Sequence, residues 1–398
     1  MYRILIVHNE YRNPGGEDVV VAQEVEMLRS AGHAVFEYHR SNHEIDTLGW
    51  WDKATLPKRV IWADDTVRDL RLLMKQEKPD IVHFHNTFVM VSPAAYYAVR
   101  EMGVPVVQTL HNYRLICPRA DFFRDGRICE DCLGKAVPWP AILHGCYHGS
   151  RIQNAGVAAI LTVHRWLKTF QEQVDIYIAL SEFSRRKMIE GGLPAEKICC
   201  LPNCVVPDPG ERTGTGDYAI FAGRFSPEER VQIVLEAWKR LRGIPLKIVG
   251  SGPEERELRR IAETSGLNQV GFCGWQPREK AIAAIKKAAF LIFPSQWYET
   301  FGLAICEAFA CGVPVIATRL GAMEEMVEDG RMGLHFTPGD PEDLAAKVEW
   351  AWTHPVQMAA MGRAARAEFE AKYSASRNYE MLMQIFDKAV SRSKANGV

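Results

Sequence analysis

The chain lacks any apolar run long enough to cross a membrane. Its longest candidates, residues 157–163 and 288–293, are under ten residues, against the roughly 20 that a spanning helix needs. It also lacks an excess of charge of either sign, with 48 Lys and Arg against 49 Asp and Glu and a net charge of −1. With no basic stripe, nucleic-acid binding through counterion release is excluded as the main activity. Internal repeats and low-complexity segments are missing too. The first residues, Met1-Tyr2-Arg3-Ile4-Leu5-Ile6-Val7, turn polar at His8 and Asn9. They read as a buried first strand, without the cleavable apolar region of an export signal. The expected location is therefore cytoplasmic, where the ten cysteines are thiols or metal ligands and do not form a disulfide framework.

What is present is an ordinary globular composition, 47% apolar and 24% charged over 398 residues, enough for two domains of about 180 to 200 residues each. Short runs rich in β-branched residues alternate with amphipathic helical stretches. Strands are expected near residues 4–7, 33–38, 80–84, 104–109 and 176–180. The pattern restarts after Asn203 at 218–222, 246–249, 270–272, 289–293 and 313–317. Such alternation predicts parallel sheets with helical crossovers. The fold class is α/β, with two Rossmann-like doubly wound domains facing a cleft. The predicted domains are 1–203, carrying a Cys-rich insert at about 112–150, then 204–374, then a carboxyl-terminal helix at 375–398 whose packing the sequence leaves open. Residues 202–217, dense in Pro, Gly, Thr and Asp, form the linker.

The stretch from Phe293 to Ala317, FPSQWYETFGLAICEAFACGVPVIA, carries the most chemistry. A strand ends at Pro294, a polar loop follows, Gly302 opens a helix, and Gly312-Val313-Pro314 terminates it. A helix that begins at glycine after a strand presents free N–H groups and a positive dipole end, which suits a phosphate. Glu299 in the loop and Glu307 inside the helix can face one pocket, and a carboxylate can accept from two adjacent sugar hydroxyls at once. Taken alone, two glutamates eight apart are commonly solvated helix charges; the surrounding Gly, Pro and apolar pattern makes the segment specific.

This stretch resembles the E-x7-E signature of the retaining glycosyltransferases of family four, which have the two-domain GT-B fold. The resemblance extends to Phe221-Ala222-Gly223-Arg224, to Ile248-Val249-Gly250-Ser251-Gly252-Pro253, to Leu110-His111-Asn112, and to the glycine loop Gly15-Gly16. It implies that Glu307 holds the ribose, Glu299 contacts the donor sugar, and Arg224 binds the diphosphate. It also implies that Gly302 and Leu303 donate backbone N–H groups to the distal phosphate. His111, Glu299 and Arg224 are then the catalytic candidates, Gly15 and Gly16 an acceptor or phosphate loop. A fixed guanidinium and helix-terminal N–H groups would stabilise charge building on the leaving phosphate. The family uses no catalytic cofactor or divalent metal, and the chain contains no Asp-x-Asp element. Gly250-Ser251-Gly252 lacks the third glycine of a dinucleotide fingerprint, which argues against a nicotinamide enzyme.

One departure from the family pattern stands out. Where a Glu-Lys-Gly element is expected, the chain reads Glu228-Glu229-Arg230, putting a carboxylate in the place of a phosphate-binding lysine. At about 4 Å from a phosphate charge it would cost on the order of 4 kcal/mol at an effective dielectric near 20. Either Glu229 points away and Arg230 supplies the second cation, which is the favoured expectation, or donor binding is weak.

Between His111 and Ser150, Cys117, Cys129, Cys132 and Cys146 follow a C-x11-C-x2-C-x13-C spacing, suited to a structural tetrahedral zinc. Buried thiols are the plainer reading, and His144 or His148 could replace one cysteine. A helix at residues 151–173 combines apolar and basic residues and is a candidate for peripheral contact with the inner membrane face, though such helices more often pack on their own sheet. The sequence-level expectation is a hexosyltransferase-type enzyme. It would move a sugar from a nucleotide-diphosphate donor to a glycan or lipid-linked acceptor in cell-surface polysaccharide synthesis. The alternatives are a catalytically silent GT-B partner or regulatory protein and a zinc-organised interaction module. Donor nucleotide, sugar, acceptor and oligomeric state are not legible in the sequence.

Overall fold

A computed structural model describes residues 1–12, 15–47 and 49–395; the last three residues of the expected carboxyl-terminal segment, 396–398, lie outside the described residues. The strands in chain order are β1 (Arg3–Glu10), β2 (Ala34–Ser41), β3 (Ile81–Asn86), β4 (Val106–Leu110), β5 (Phe123–Arg124), β6 (Arg127–Ile128), β7 (Ile176–Ala179), β8 (Ile198–Cys200), β9 (Ala219–Ala222), β10 (Leu246–Val249), β11 (Val270–Gly274), β12 (Phe290–Phe293), β13 (Val315–Thr318) and β14 (Gly333–Phe336). They form two six-stranded sheets, ordered β2-β1-β3-β4-β7-β8 and β11-β10-β9-β12-β13-β14, and the separate hairpin β5-β6. Every ladder in the two large sheets is parallel, with β1 paired to β2 and β3, and β9 to β10 and β12.

The sequence explains this architecture. Ile4, Leu5, Ile6 and Val7 are all fully buried, as are Leu291 and Ile292. A strand apolar on consecutive residues is covered on both faces, which is the condition of a parallel sheet flanked by crossover helices. Each sheet has its own core. In the first, Ile4, Ile6, Ile81, Val107 and Ile176 pack with Val21, Val25 and Leu28 of the helix Gly16–Ser30. In the second, Phe221, Ile248, Phe290 and Ile292 pack with Trp238, Leu258 and Leu344.

The chain divides into two compact units. The first comprises residues 1–122, 130–202 and 378–398, and the second comprises 123–129 and 203–377. Most of the carboxyl-terminal helix thus groups with the first unit, where Leu382, Ile385, Phe386 and Ala389 join the core and Asn378 Nδ2 donates to the Pro202 carbonyl at 2.7 Å.

The Cys-rich insert contains the β5-β6 hairpin and a short helix, Trp139–His144. The helix Arg151–Trp166 buries Val157, Ala158, Ile160, Leu161 and His164, so its main apolar stripe faces protein. No helix among the described residues is long and apolar enough to cross a membrane.

Each sheet reverses its strand order beside its first strand. In open α/β sheets, ligands bind outside the carboxyl ends of the strands flanking that reversal. In the first unit those strands are β1 and β3, and in the second they are β9 and β12. Gly15 follows β1 and His85 lies near the end of β3; Arg224 follows β9 and Glu299 follows β12.

Candidate functional site

In the second unit, the loops after β9 and β12 are laced together at the reversal point. The Gln296 N–H donates to the Glu228 carbonyl at 2.9 Å, Arg230 Nε donates to Gln296 Oε1 at 2.8 Å, and the Ser295 hydroxyl donates to Glu229 Oε2. This lacing gathers Arg224, Glu228, Glu229, Arg230 and Glu299 around one spot. The Arg224 side chain is 66% exposed and lies 3.6 Å from Glu228 Oε1, so its guanidinium is loosely held and available to a ligand. Glu299 is buried at 8% exposure.

Glu229, the residue standing in the lysine's place, is turned into the loop and held by Ser295. Burial pushes its carboxyl up to about 7, with Glu228 adding to the rise and Ser295 and Arg224 opposing it. Burial, then Glu229 and Glu228, hold the Glu299 carboxyl well above the usual range, with Arg224 opposing. The Trp297 indole N–H lies near both carboxyls without an aligned hydrogen bond to either. A crowded set of acidic groups, two of them inclined to keep a proton, lowers the negative charge that an incoming phosphate would meet.

Glu307 sits in the helix Leu303–Ala310, buried at 9% exposure, and accepts from Arg278 Nε at 2.8 Å. Arg278 Nη1 donates to the Val206 carbonyl at 2.9 Å, which fixes the guanidinium that orients Glu307. Sequence reasoning missed Arg278, because nothing in the spacing links residues 278 and 307. The Gly302 N–H, expected to face a phosphate, donates to Met326 Sδ at 3.4 Å; sulfur is a weak acceptor that a phosphate oxygen would displace. The Gly250-Ser251-Gly252 element has a structural cause. A Cβ on Gly250, whose φ is +140°, would lie 1.8 Å from the Gly223 carbonyl oxygen, and one on Gly252 2.3 Å from that of Phe225. The Phe225 N–H in turn donates to the Ser251 carbonyl at 2.9 Å. These glycines let two backbones approach so that the turn carrying Arg224 is braced.

In the first unit, Gly15 caps the helix Gly16–Ser30, and its N–H is taken by Asp18 Oδ2 at 2.6 Å, while His8 Nε2 lies 2.8 Å from Asp18 Oδ1. The Gly15 amide is therefore engaged within the turn. Glu17 beside it has one carboxylate oxygen buried with no partner among the described residues, and its other oxygen is 3.5 Å from Asn112 Nδ2. Burial, then Asp18, pushes its carboxyl up to about 8 against the pull of Arg114 and Asn112. His111, directly after β4, has Nε2 3.0 Å from His85 Nδ1. His85 and Glu17 were missed by sequence reasoning. The repeat His83-x-His85 in a buried strand was a usable signal, because i and i+2 share a face.

The four cysteines differ in burial, Cys117 and Cys132 being buried and Cys129 and Cys146 half-buried. Cys129 belongs to the segment grouped with the second unit and the other three to the first. Among the described residues, Glu24, His83 and His85 form a group of three metal-type ligand atoms within 4.8 Å of one another.

Comparison with known proteins agrees with this architecture. Residues 14–208 match the family model Glycosyltransferase Family 4, and residues 208–368 match Glycosyl transferases group 1. The glycogen synthase of Mycobacterium tuberculosis is 30% identical over 92% of this chain and 89% of its own length. The chain belongs to glycosyltransferase family 4. The D-rhamnosyltransferase WbpZ of Pseudomonas aeruginosa is 31% identical over 40% of the chain, and the match spans less than half of that relative, 42%. Among solved structures, Anabaena Alr3699/HepE in complex with UDP has a TM-score of 0.71 at 16% identity, covering 96% of this chain and 99% of that one. It shares the GT-B fold of the family.

Proposed function

We propose that this chain is a retaining hexosyltransferase. It moves a sugar from a nucleotide-diphosphate donor to a hydroxyl of a glycan or lipid-linked acceptor, within cell-surface polysaccharide synthesis. Family membership supports the reaction class, and the solved Anabaena relatives with UDP and with UDP-glucose support a nucleotide-sugar donor. The observation that carries the reading is the reversal point of the second sheet. There an exposed guanidinium, Arg224, stands beside buried Glu299, and in the same unit Glu307 is oriented by Arg278.

In this reading Glu307 accepts from the ribose hydroxyls, Arg224 binds the diphosphate, and Glu299 contacts the transferred sugar. Leu303 and Gly302 donate N–H groups to the distal phosphate, with Gly302 exchanging its sulfur acceptor for an oxygen. The guanidinium and helix terminus stabilise the leaving phosphate as its charge grows. That phosphate takes the acceptor's proton on the face it leaves, which retains the anomeric configuration. Arg230 braces the loop through Gln296 and reinforces the positive field; an Arg230→Ala variant that binds donor as tightly as the parent would limit it to bracing. His111 contacts the donor sugar, and Gly15 and Gly16 form the edge of the acceptor region.

The cytoplasm is the location this reading requires for a nucleotide-sugar donor. Zinc on Cys117, Cys129, Cys132 and Cys146 is part of the proposal, on the strength of the Cys-x2-Cys pair and the short hairpin before it. Stoichiometric zinc in the purified protein, lost in Cys129→Ser, supports the site; a zinc-free active protein removes it. The main experiment is a transfer assay with candidate donors and acceptors. It is expected to show product of retained configuration, abolished in Glu307→Ala; a trapped glycosyl-enzyme intermediate would contradict the same-face step.

A further inference from the structure

Within the second unit, Arg278 is the first residue of the helix Arg278–Lys286, and Glu307 lies in the helix Leu303–Ala310. Their side chains are 23% and 11% exposed, so the pair is mostly buried yet still reached by solvent. A guanidinium carries five N–H donors and no acceptor. Nε spends its one donor on Glu307 Oε1 at 2.8 Å, and Nη1 donates to the Val206 carbonyl at 2.9 Å. Nη2 is buried with no partner among the described residues. The acceptor side is also incomplete, since Glu307 Oε2 receives no hydrogen bond from a described residue.

The planar geometry of arginine relates these two unspent groups. The Nε–H and one N–H of Nη2 run parallel along one edge, the fork that commonly grips both oxygens of a carboxylate. Here the fork holds Glu307 through Nε alone, so its second prong points to the same side, past the carboxyl. Buried donors are seldom left unspent. A donor and an acceptor side by side suit a ligand that offers two neighbouring hydroxyls, because each hydroxyl can both donate and accept. The cis-diol of a ribose is such a group.

We propose that Arg278 is a second ribose-reading residue: Glu307 Oε2 accepts from one ribose hydroxyl of the donor, and Arg278 Nη2 donates to the oxygen of the other. The site then takes a ribonucleoside diphosphate and discriminates against its 2′-deoxy and 3′-deoxy forms. This rests on the nucleotide-sugar reading above. Nη2 is covered in the ligand-free chain, so its bond to the diol forms with a small shift of the guanidinium on binding. The competing arrangement closes the pair on itself, with Nη2 donating to Oε2. Arg278 is then only a positioning residue, and both hydroxyls belong to Glu307.

The test is isothermal titration of the full chain with UDP, GDP and ADP, then with the 2′-deoxy and 3′-deoxy forms of whichever binds most tightly. Losing one hydrogen bond to a charged group is expected to weaken each deoxy form by roughly 10- to 100-fold in the parent. Burial pushes the Glu307 carboxyl above its ordinary value and Arg278 opposes the rise, so Arg278→Ala would favour a neutral Glu307 as well as remove the donor. Arg278→Lys keeps the charge beside Glu307 and lacks the fork. It is expected to bind the ribonucleotide about tenfold more weakly, to discriminate against one deoxy form by less than about threefold, and to keep the parent's discrimination against the other. Parent-like discrimination at both positions in Arg278→Lys, or a parent that binds either deoxy form as tightly as the ribonucleotide, overturns the proposal.

Should Arg278→Lys bind none of the three, the parent itself decides. Its Arg278 guanidinium 15N signals, assigned by their absence from the variant, are expected to respond differently to one deoxy form than to the ribonucleotide; identical responses to all three nucleotides overturn the proposal. If UDP, GDP and ADP all fail to bind the parent, the nucleotide-sugar reading fails and this inference with it. If ribonucleotides bind and sugar is transferred but Arg278→Lys discriminates like the parent, this inference alone fails.

Discussion

Arg224 and Glu307 are the two side chains whose replacement separates the proposed roles most cleanly. Arg224 makes one loose ion pair, 3.6 Å from Glu228 and 66% exposed, so its loss costs little folding stability. Hydrogen bonds to charged groups contribute about 1.5–3 kcal/mol each. Arg224→Ala is therefore expected to weaken nucleoside-diphosphate binding by roughly 10- to 100-fold with an unchanged urea midpoint, as read by calorimetry and denaturation. Glu307 differs because it is buried against Arg278. Glu307→Ala strands a guanidinium whose Nη2 is already buried without a partner among the described residues. It should lose donor binding and also about 2–4 kcal/mol of stability, whereas Glu307→Gln keeps an acceptor for Arg278 and recovers most of that stability. Glu299, Glu307 and Arg224 could be proposed from the sequence because their types and spacing, at strand ends and a helix start, match the family signature. Arg278, Ser295, Glu24 and His85 were not, because each acts through a partner 26 to 66 positions away that only the folded chain brings near.

At the scale of elements, the parallel strands announced themselves through unbroken apolar runs such as Ile4-Leu5-Ile6-Val7. The strands that escaped were short or ambiguous: β8 is Ile-Cys-Cys, β14 is Gly-Leu-His-Phe, and β5 and β6 are two residues each, too brief for periodicity to register. The apolar helix Arg151–Trp166 invited a membrane reading from composition alone, and its buried stripe shows how weakly composition separates lipid-facing from core-facing surfaces. The Gly250 turn offers a test of element bracing. With a Cβ 1.8 Å from the Gly223 carbonyl oxygen and φ at +140°, Gly250→Ala is expected to cost about 2–4 kcal/mol in urea unfolding. It should also weaken donor binding by displacing the loop that holds Arg224. Equal stability to the parent would show that the two loops are not in contact.

For the whole molecule, the balance of shifted groups sets how stability responds to pH. Glu229 and Glu17 have folded values raised to about 7 and about 8, burial being the first cause of each. A carboxyl raised on folding stabilises below its unfolded value, and that contribution is lost as pH climbs through the folded value. His85 and His111 act oppositely, since their lowered folded values make stability rise with pH up to the ordinary histidine range near 6.5. Between pH 6.5 and 8.5 the histidine contribution is flat and the glutamate contribution still falls. The melting temperature of the ligand-free protein is expected to decline across that window, and Glu229→Gln or Glu17→Gln should flatten the decline. A melting temperature rising from pH 6.5 to 8.5 would contradict this assignment. The nucleotide site itself is tested most directly by isothermal titration of the intact chain with UDP, GDP, ADP and dTDP at pH 7. The account predicts that at least one binds with a micromolar dissociation constant, and that Arg224→Ala and Glu307→Ala each weaken it at least tenfold. Saturating amounts of all four producing no heat and no thermal shift, or equal binding by both variants, would contradict it.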